Sequence, residues 1–585
     1  MKSVKSIPLS ELKIKASSGS QTALLQLGKR ASQRPQLLLE VLPVFLNHLP
    51  FPLPKFAALK ETQRDERLAS ARHSLVALGE ALESSDALGY PKVLDEIEAR
   101  WDQLREWISF LSNTFIITDS SSFASQPLPA DEDRDELHRA LARLMSAFIV
   151  ARRTMALLFQ QPSIFPIAIQ LYIIAAQNPP FSLAENKTQE DTLLYCSRVF
   201  NGIQMHNPNE FDWMNGMLGA LNSTSPSLAS GVLRRIIHEI SKPTTEEFNS
   251  RSLKQALTIL SNCTINSMPF NLAFIDRRSI YWVCLTMRRI SGRKARFFQE
   301  DFYYIADCLK LCAMYLEQCF RDFGHAAVIQ ALQGKLLSSL LKSADFILVD
   351  QKNRSQGFQS SLATVYKNLL HITAGYAMYY SVAVVLRKSL RCIEERRHAE
   401  HSKSRALDSD FKAFKRAVED RITVGYEWSM HGMNYCANSS IVKNSNGISI
   451  RKHAKRSGRS GSTKAVGSRL PPMMDMRDKH FSGWLVQQYI LQMRPTLLSQ
   501  QAKHRKKLAL PPTEPLVSVL DYTEFPCKVD TITISNAKAM APDAAWNKLL
   551  VEAREKIDED PLVLSLIPNR YDPETWVGFG KVVAP

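Results

Sequence analysis

Cysteine is scarce in this chain: nine residues in 585, odd in number and irregularly spaced. That excludes a disulfide framework and fits a reducing, intracellular compartment. Long hydrophobic runs are missing too. Met1-Lys2-Ser3-Val4-Lys5-Ser6 leads into neither an apolar core nor a small-residue cleavage site, which argues against secretion. The sequon Asn222-Ser223-Thr224 therefore carries no message. Leu369 to Leu386 comes nearest to a membrane span, but His371 and three tyrosines interrupt it and Arg387-Lys388 end it. It reads as a buried central helix, so no membrane partner is expected.

Catalytic signatures are also lacking. Ser457-Gly458-Arg459-Ser460-Gly461-Ser462 has glycines but not the phosphate-loop pattern, and no strand precedes it. The nucleophile elbow and the zincin helix are missing. His73 and His238 stand beside no nucleophile and read as surface or satisfied core residues. Asp131-Glu132-Asp133 and Asp558-Glu559-Asp560 read as solvated turns.

Helical periodicity is what remains, and it dominates the first 430 residues. Leu94, Ile97, Trp101, Leu104, Ile108 and Leu111 fall on one stripe, as do Leu137, Leu141, Leu144, Phe148 and Met155. Phe411, Phe414, Val418 and Ile422 form another after Asp408-Ser409. Ser225-Pro226 reads as an N-cap with proline at the first helical position, and Pro243 as lying just past that helix. Breaks are expected at Pro50 to Pro54, Asp119 to Asp133 and Asn207 to Asn209. No strict repeat period occurs, yet helices with short connections predict an armadillo/HEAT-like stacked helical body over residues 21–435, after a flexible 1–20.

The texture then changes. Residues 437–470 hold eight Lys/Arg and no acid, close to half of the net charge of +17, so 436–470 reads as a basic disordered linker. In 471–585, Phe481 to Ser499 reads as a helix. Leu516 to Leu520, Val529 to Ile534 and Leu562 to Ile567 read as strands, and Ala544 to Ile557 as a helix. The expected fold class is thus mainly α with a small C-terminal α+β unit.

Three stretches carry a family likeness. Ala23 to Leu46, Met476-Arg477-Asp478-Lys479 to Tyr489, and Val519-Leu520-Asp521-Tyr522-Thr523 to Pro526-Cys527 resemble, in order and spacing, a group of fungal proteins with a MYND-type zinc finger. The first is similar to their opening helical hairpin, the others to the segments after the finger. The resemblance implies two zinc ions held by seven cysteines and a histidine. Between Trp428 and Arg477, however, only Cys436 is found, with His431 and His453 and, just beyond, His480. Eight converging donors cannot come from that set, so no metal site or cofactor is carried over, although zinc belongs to the family pattern.

Two clusters remain. Cys308, Cys312 and Cys319 share one helix face and read as core lining among Ile305, Leu309 and Leu316 rather than as metal ligands. Arg451, Lys452, Lys455 and Arg456 form a compact basic run that reads as a nuclear import signal for an import receptor or, less favoured, as a nucleic-acid contact. It lacks the aromatics of a stacking platform. The functional expectation is a non-enzymatic protein–protein interaction scaffold, nuclear and/or cytoplasmic. The alternatives are a nucleic-acid-associated transcriptional regulator and an enzyme whose site is assembled from distant residues. A fluorescent fusion with Lys452, Lys455 and Arg456 changed to Ala is expected to leave the nucleus; unchanged accumulation would reject the signal.

Overall fold

The computed structural model describes residues 7–55, 58–83, 87–117, 131–159, 164–177, 191–199, 201, 211–242, 249–292, 301–352, 361–397, 406–437, 476–511, 516–521, 528–540, 562–567 and 574–579. The protein is mainly α, with strands among the described residues only from Leu516 onward. It forms two compact units, Met1–Ser279 and Ile280–Pro585.

In the first unit each helix packs on a near neighbour in sequence. The helices are α1 (Leu9–Ser17), α2 (Gln21–Gln33), α3 (Leu38–Asn47), α4 (Glu61–Ala81), α5 (Pro91–Ala99), α6 (Trp101–Leu111), α7 (Asp131–Val150), α8 (Arg152–Phe159), α9 (Ile164–Gln177), α10 (191–199), α11 (Phe211–Ser241), α12 (Ser250–Asn266) and α13 (Met268–Asp276). α2 lies against α4, α4 against α7, α9 against α11, and α11 against α12 and α13. The backbones of α2 and α4 come close enough that a Cβ on Gly28 would meet the Ala77 carbonyl oxygen at 2.5 Å. Only glycine fits there.

Side chains from neighbouring helices bind the backbone where elements end. Gln103 on α6 donates to the carbonyls of Leu46 and Leu49, and Trp107 Nε1 donates to that of Pro50 at 3.0 Å. Ser74 on α4 donates to Phe45 at 2.6 Å. These bonds add second donors to the Phe45 and Leu46 carbonyls, already paired with His48 N and Leu49 N, and bind the carbonyls of Leu49 and Pro50 beyond the end of α3.

The expected stripe from Leu94 to Leu111 is two helices. Arg100 (φ −114°, ψ 17°) breaks it, and Val93 rather than Leu94 is the buried residue before Ile97. Asp131 to Asp133 form the first turn of α7 and not a loop, a place where carboxylates complement the helix dipole. Ser225-Pro226 does not start a helix, since α11 runs through Pro226. Proline removes one backbone donor from the ladder there, and the buried stripe of Leu228, Val232, Ile236 and Ile240 keeps the helix packed across it.

The second unit is built on α15 (Asp301–Gln333), which bends at Gly324 (φ 60°, ψ −142°). Before it comes α14 (Ser279–Gly292). After it come α16 (Leu336–Ser343), α17 (Phe346–Lys352), α18 (Leu362–Tyr376), α19 (Tyr380–Arg397), α20 (Asp408–Ala437) and α21 (Met476–Lys507). α16, α17, α18 and α19 all contact α15, and α20 and α21 lie on the outside of α19. The apolar stretch Leu369 to Leu386 is thus two helices. The chain turns at Ala377-Met378-Tyr379, all fully buried, and no described helix is long and apolar enough to cross a membrane.

The strands β1 (Leu516–Asp521), β2 (Lys528–Thr533), β3 (Leu562–Ile567) and β4 (Glu574–Phe579) form one sheet in the order β2-β1-β3-β4. β1 pairs antiparallel with β2 and parallel with β3, and β4 runs antiparallel to β3. β1, inside the sheet, is buried along almost its whole length, as its apolar run requires. β4 is a fourth strand beyond the three expected. Ile534 ends no strand; it begins a short helix, α22 (Ile534–Met540). The helix expected at Ala544 to Ile557 lies outside the described residues.

Asp478 ties α21 to α19. Its carboxylate, 3% exposed, accepts from Ser381 N and Ser381 Oγ, both at 2.9 Å. It therefore caps the first turn of α19 from another helix, where a negative charge also meets the positive end of the dipole. Asp478→Ala is expected to lower stability by about 1–3 kcal/mol in urea denaturation at neutral pH, with Ser381→Ala losing less.

Candidate functional site

The groups with intrinsic reactivity lie mostly inside the helical packing. Cys308, Cys312 and Cys319 are fully buried on α15, and Cys284 on α14 belongs to the same cluster. Burial, with Cys308 and Cys284 as neighbours, pushes the Cys312 thiol well above its usual range. Burial likewise raises Cys196, Cys284 and Cys319. A thiol held protonated is a poor nucleophile and a poor ligand. The cysteine stripe is core, and among the described residues no group of three or more His, Cys, Asp or Glu is arranged to hold a metal ion.

The histidines give the same picture. His73 is buried with Nδ1 2.7 Å from the Ala69 carbonyl, and His238 is exposed. His325 stacks on Tyr379 at 4.8 Å between ring centroids. Burial lowers its pKa against the opposing pull of the Asp478 charge. His138 is the most perturbed. Burial pulls it from 6.5 down to about 4, resisted by its bond to the Leu171 carbonyl and helped by Arg134. It is neutral at pH 7, with Nε2–H donating to Leu171 O at 3.0 Å. His73, His138 and His325 are thus interior residues held by neighbouring backbone or rings, and among the described residues none stands beside a nucleophile.

One concavity combines accessibility with unengaged polar groups. It runs between the end of α15, the start of α16 and one side of α19, with a volume of about 320 Å³. Leu332, Leu337, Val385 and Ile393 form its apolar surface. Lys335 and Lys388 border it, with Ser338, Ser389 and Cys392 also lining it, and no acidic residue does.

Local sequence explains the arrangement. α15 ends at Gly334-Lys335, and a Cβ on Gly334 would meet the Cys284 Cβ at 3.0 Å and two carbonyl oxygens at 3.2–3.3 Å. Close packing on α14 thus favours glycine here. Lys335 follows in the left-handed region (φ 68°, ψ 36°) and is the N-cap of α16 without a capping hydrogen bond. A β-carbon in that region costs roughly 1–2 kcal/mol. On α19, Val384, Lys388 and Cys392 are spaced by four, on one stripe. Val384 is 49% exposed, and Cys392 is the exposed one among the described cysteines. Among the described residues neither Lys335 nor Lys388 makes an ion pair, whereas Lys310 meets Asp350 at 3.8 Å and Lys415 meets Glu394 at 2.6 Å.

A second cleft in the first unit, bordered by Asn47, Phe51, Arg100 and Asp102, is more polar. Its charged groups are occupied: Arg100 pairs with Glu96 at 3.6 Å and Asp102 with Arg105 at 3.4 Å.

The basic run Arg451, Lys452, Lys455 and Arg456 lies outside the described residues. Lys335, Lys388 and Cys392 were not singled out from sequence. A mixed stripe at spacing four on α19 was the available signal, but it gained meaning only once α16 was placed beside it.

His138 generates a pH prediction. Its folded pKa is depressed, so the stability it allows is complete above the unfolded value of 6.5 and is lost as pH falls toward about 4. The full loss approaches about 3 kcal/mol. Urea denaturation is expected to show a decline between pH 7 and pH 5 that His138→Gln flattens.

Compared with known proteins, the chain matches no family model and no curated sequence.

Proposed function

We propose that this chain is a helical interaction protein that docks another protein along the groove between α16 and α19. One observation carries the reading: a concavity with an apolar floor of Leu332, Leu337 and Ile393 and two exposed lysines at its border that have no ion partner among the described residues, in a unit where Cys284, Cys308, Cys312 and Cys319 are sealed in the core. Desolvated apolar anchors supply affinity at such surfaces, and border charges set orientation and rate. The likeness of residues 23–46, 476–489 and 519–527 to fungal MYND-type proteins covers the segments around their finger and not the finger through which they recognise proteins, so it adds nothing to this reading. The run Arg451, Lys452, Lys455 and Arg456 would direct the protein to the nucleus.

A nucleic-acid-associated regulator is the second reading, and the last turn of α21 favours it. Lys503, His504, Arg505, Lys506 and Lys507 follow one another there. Cations at a helix C-terminus also complement its dipole, so the cluster has a structural use without any polyanion.

The test is to fill the groove. Cys392 is exposed, so Cys392→Trp places a large ring in the cavity without disturbing the core. Affinity capture from native cells is expected to lose specific partner proteins with this variant while its thermal melt stays within a few degrees of the parent. An unchanged set of partners would overturn the groove as the docking site.

A further inference from the structure

We infer that the groove between α16 and α19 takes an amphipathic helix of a partner protein whose apolar stripe is bordered by Asp and Glu. This inference rests on the interaction reading and adds the chemistry of the occupant. The walls decide the backbone form. They are three helices, α15, α16 and α19, whose backbone groups, the first turn of α16 apart, are consumed in their own ladders. An extended peptide would find no strand edge to pair with, and recognition must run through side chains, as helix-in-groove binding does. The size agrees. About 320 Å³ lies at the bottom of the range for enclosed small-molecule sites, yet suffices for the few anchor side chains that one helix face presents.

Charge decides what surrounds those anchors. Among the described residues, the side chains lining the groove include two lysines and no acid. Both lysines are exposed and have no ion partner among the described residues; one precedes α16 and the other is on α19. Lys335 is also the uncapped N-cap of α16, so the unpaired amides of that first turn add partial positive charge at the same end. Ser338 also lines the groove near Lys335, while the Ser389 hydroxyl donates to the Val385 carbonyl at 2.9 Å. A partner bearing Lys or Arg beside its apolar stripe would be repelled; one bearing carboxylates neutralises both ends. The α19 side of the groove runs from Val385 to Ile393, more than two helical turns, which matches a helix lying along it better than a compact ligand inside it.

Cys392 provides the readout. Fluorescein-labelled synthetic helical peptides of roughly 16 residues, about four turns, would carry one Leu stripe flanked by Glu or by Lys. They would be titrated against the full chain by anisotropy, while alkylation of Cys392 is followed by peptide mass mapping. The Glu-flanked peptide is expected to bind and to slow Cys392 alkylation by about fivefold or more. Its Lys-flanked counterpart should do neither. Lys335→Glu combined with Lys388→Glu should weaken the first peptide by about tenfold or more and admit the second. This exchange of preference also shows that the variant is folded.

Equal binding of both peptides by the parent protein would overturn the inference. So would binding that leaves Cys392 unprotected, or protection by a DNA duplex and not by the Glu-flanked peptide. If the peptides fail while Cys392→Trp still removes partners, the partner chemistry is wrong and the interaction reading stands. If Cys392→Trp changes nothing, the interaction reading falls first.

Discussion

A helix end covered by protein instead of water needs partners for its unpaired amides or carbonyls, and in this molecule those partners come from other helices. Gln103 and Trp107 hold the carbonyls beyond α3. Tyr376 Oη donates to the Phe320 carbonyl at 3.0 Å, where α15 approaches its bend. Asp350 accepts from Leu362 N at 2.8 Å and starts α18, while Lys310 balances its charge. Asp478 does the same for α19. Each bond fixes which helix may follow which, because the donor and acceptor lie tens of residues apart. Apolar burial drives the stacking, but it is tolerant of sliding; these polar contacts are not.

That division explains what the sequence revealed. Stripes such as Leu137, Leu141, Leu144 and Phe148 are local, and all four are buried in α7. The mainly α class and the strands at Leu516 and Leu562 could be read in the same way. Helix breaks could not. Arg100, Ala377 to Tyr379 and Gly324 interrupt periodic stretches for reasons of tertiary fit, and Pro226 fails to interrupt one. The strand order, with β1 and β3 parallel neighbours, also depends on pairing across some forty residues.

The groove was illegible for a related reason. Lys388 and Cys392 look like ordinary solvent-facing residues, and Lys335 like the end of a helix. Their meaning depends on α16 and α19 both leaving α15 at neighbouring points. The cysteines on α15 invited more interest from spacing alone, and that face turned out to be the best packed part of the second unit, with Tyr366 Oη and Ser343 Oγ 2.6 Å apart alongside it. Functional-looking residues became architecture, and plain surface residues became the accessible chemistry.

The clasp at Asp478 has an evolutionary consequence. It anchors the chain within three residues of where α21 begins, while α20 is held against α18 and α19 by Phe411, Phe414 and Val418. Both ends of the connection from α20 to α21 are consequently held by packing among the helices themselves. Doubling the length of a connection anchored at both ends costs only about 0.6 kcal/mol. Insertions at that junction would be tolerated, generation after generation, without the surrounding helices having to be redesigned.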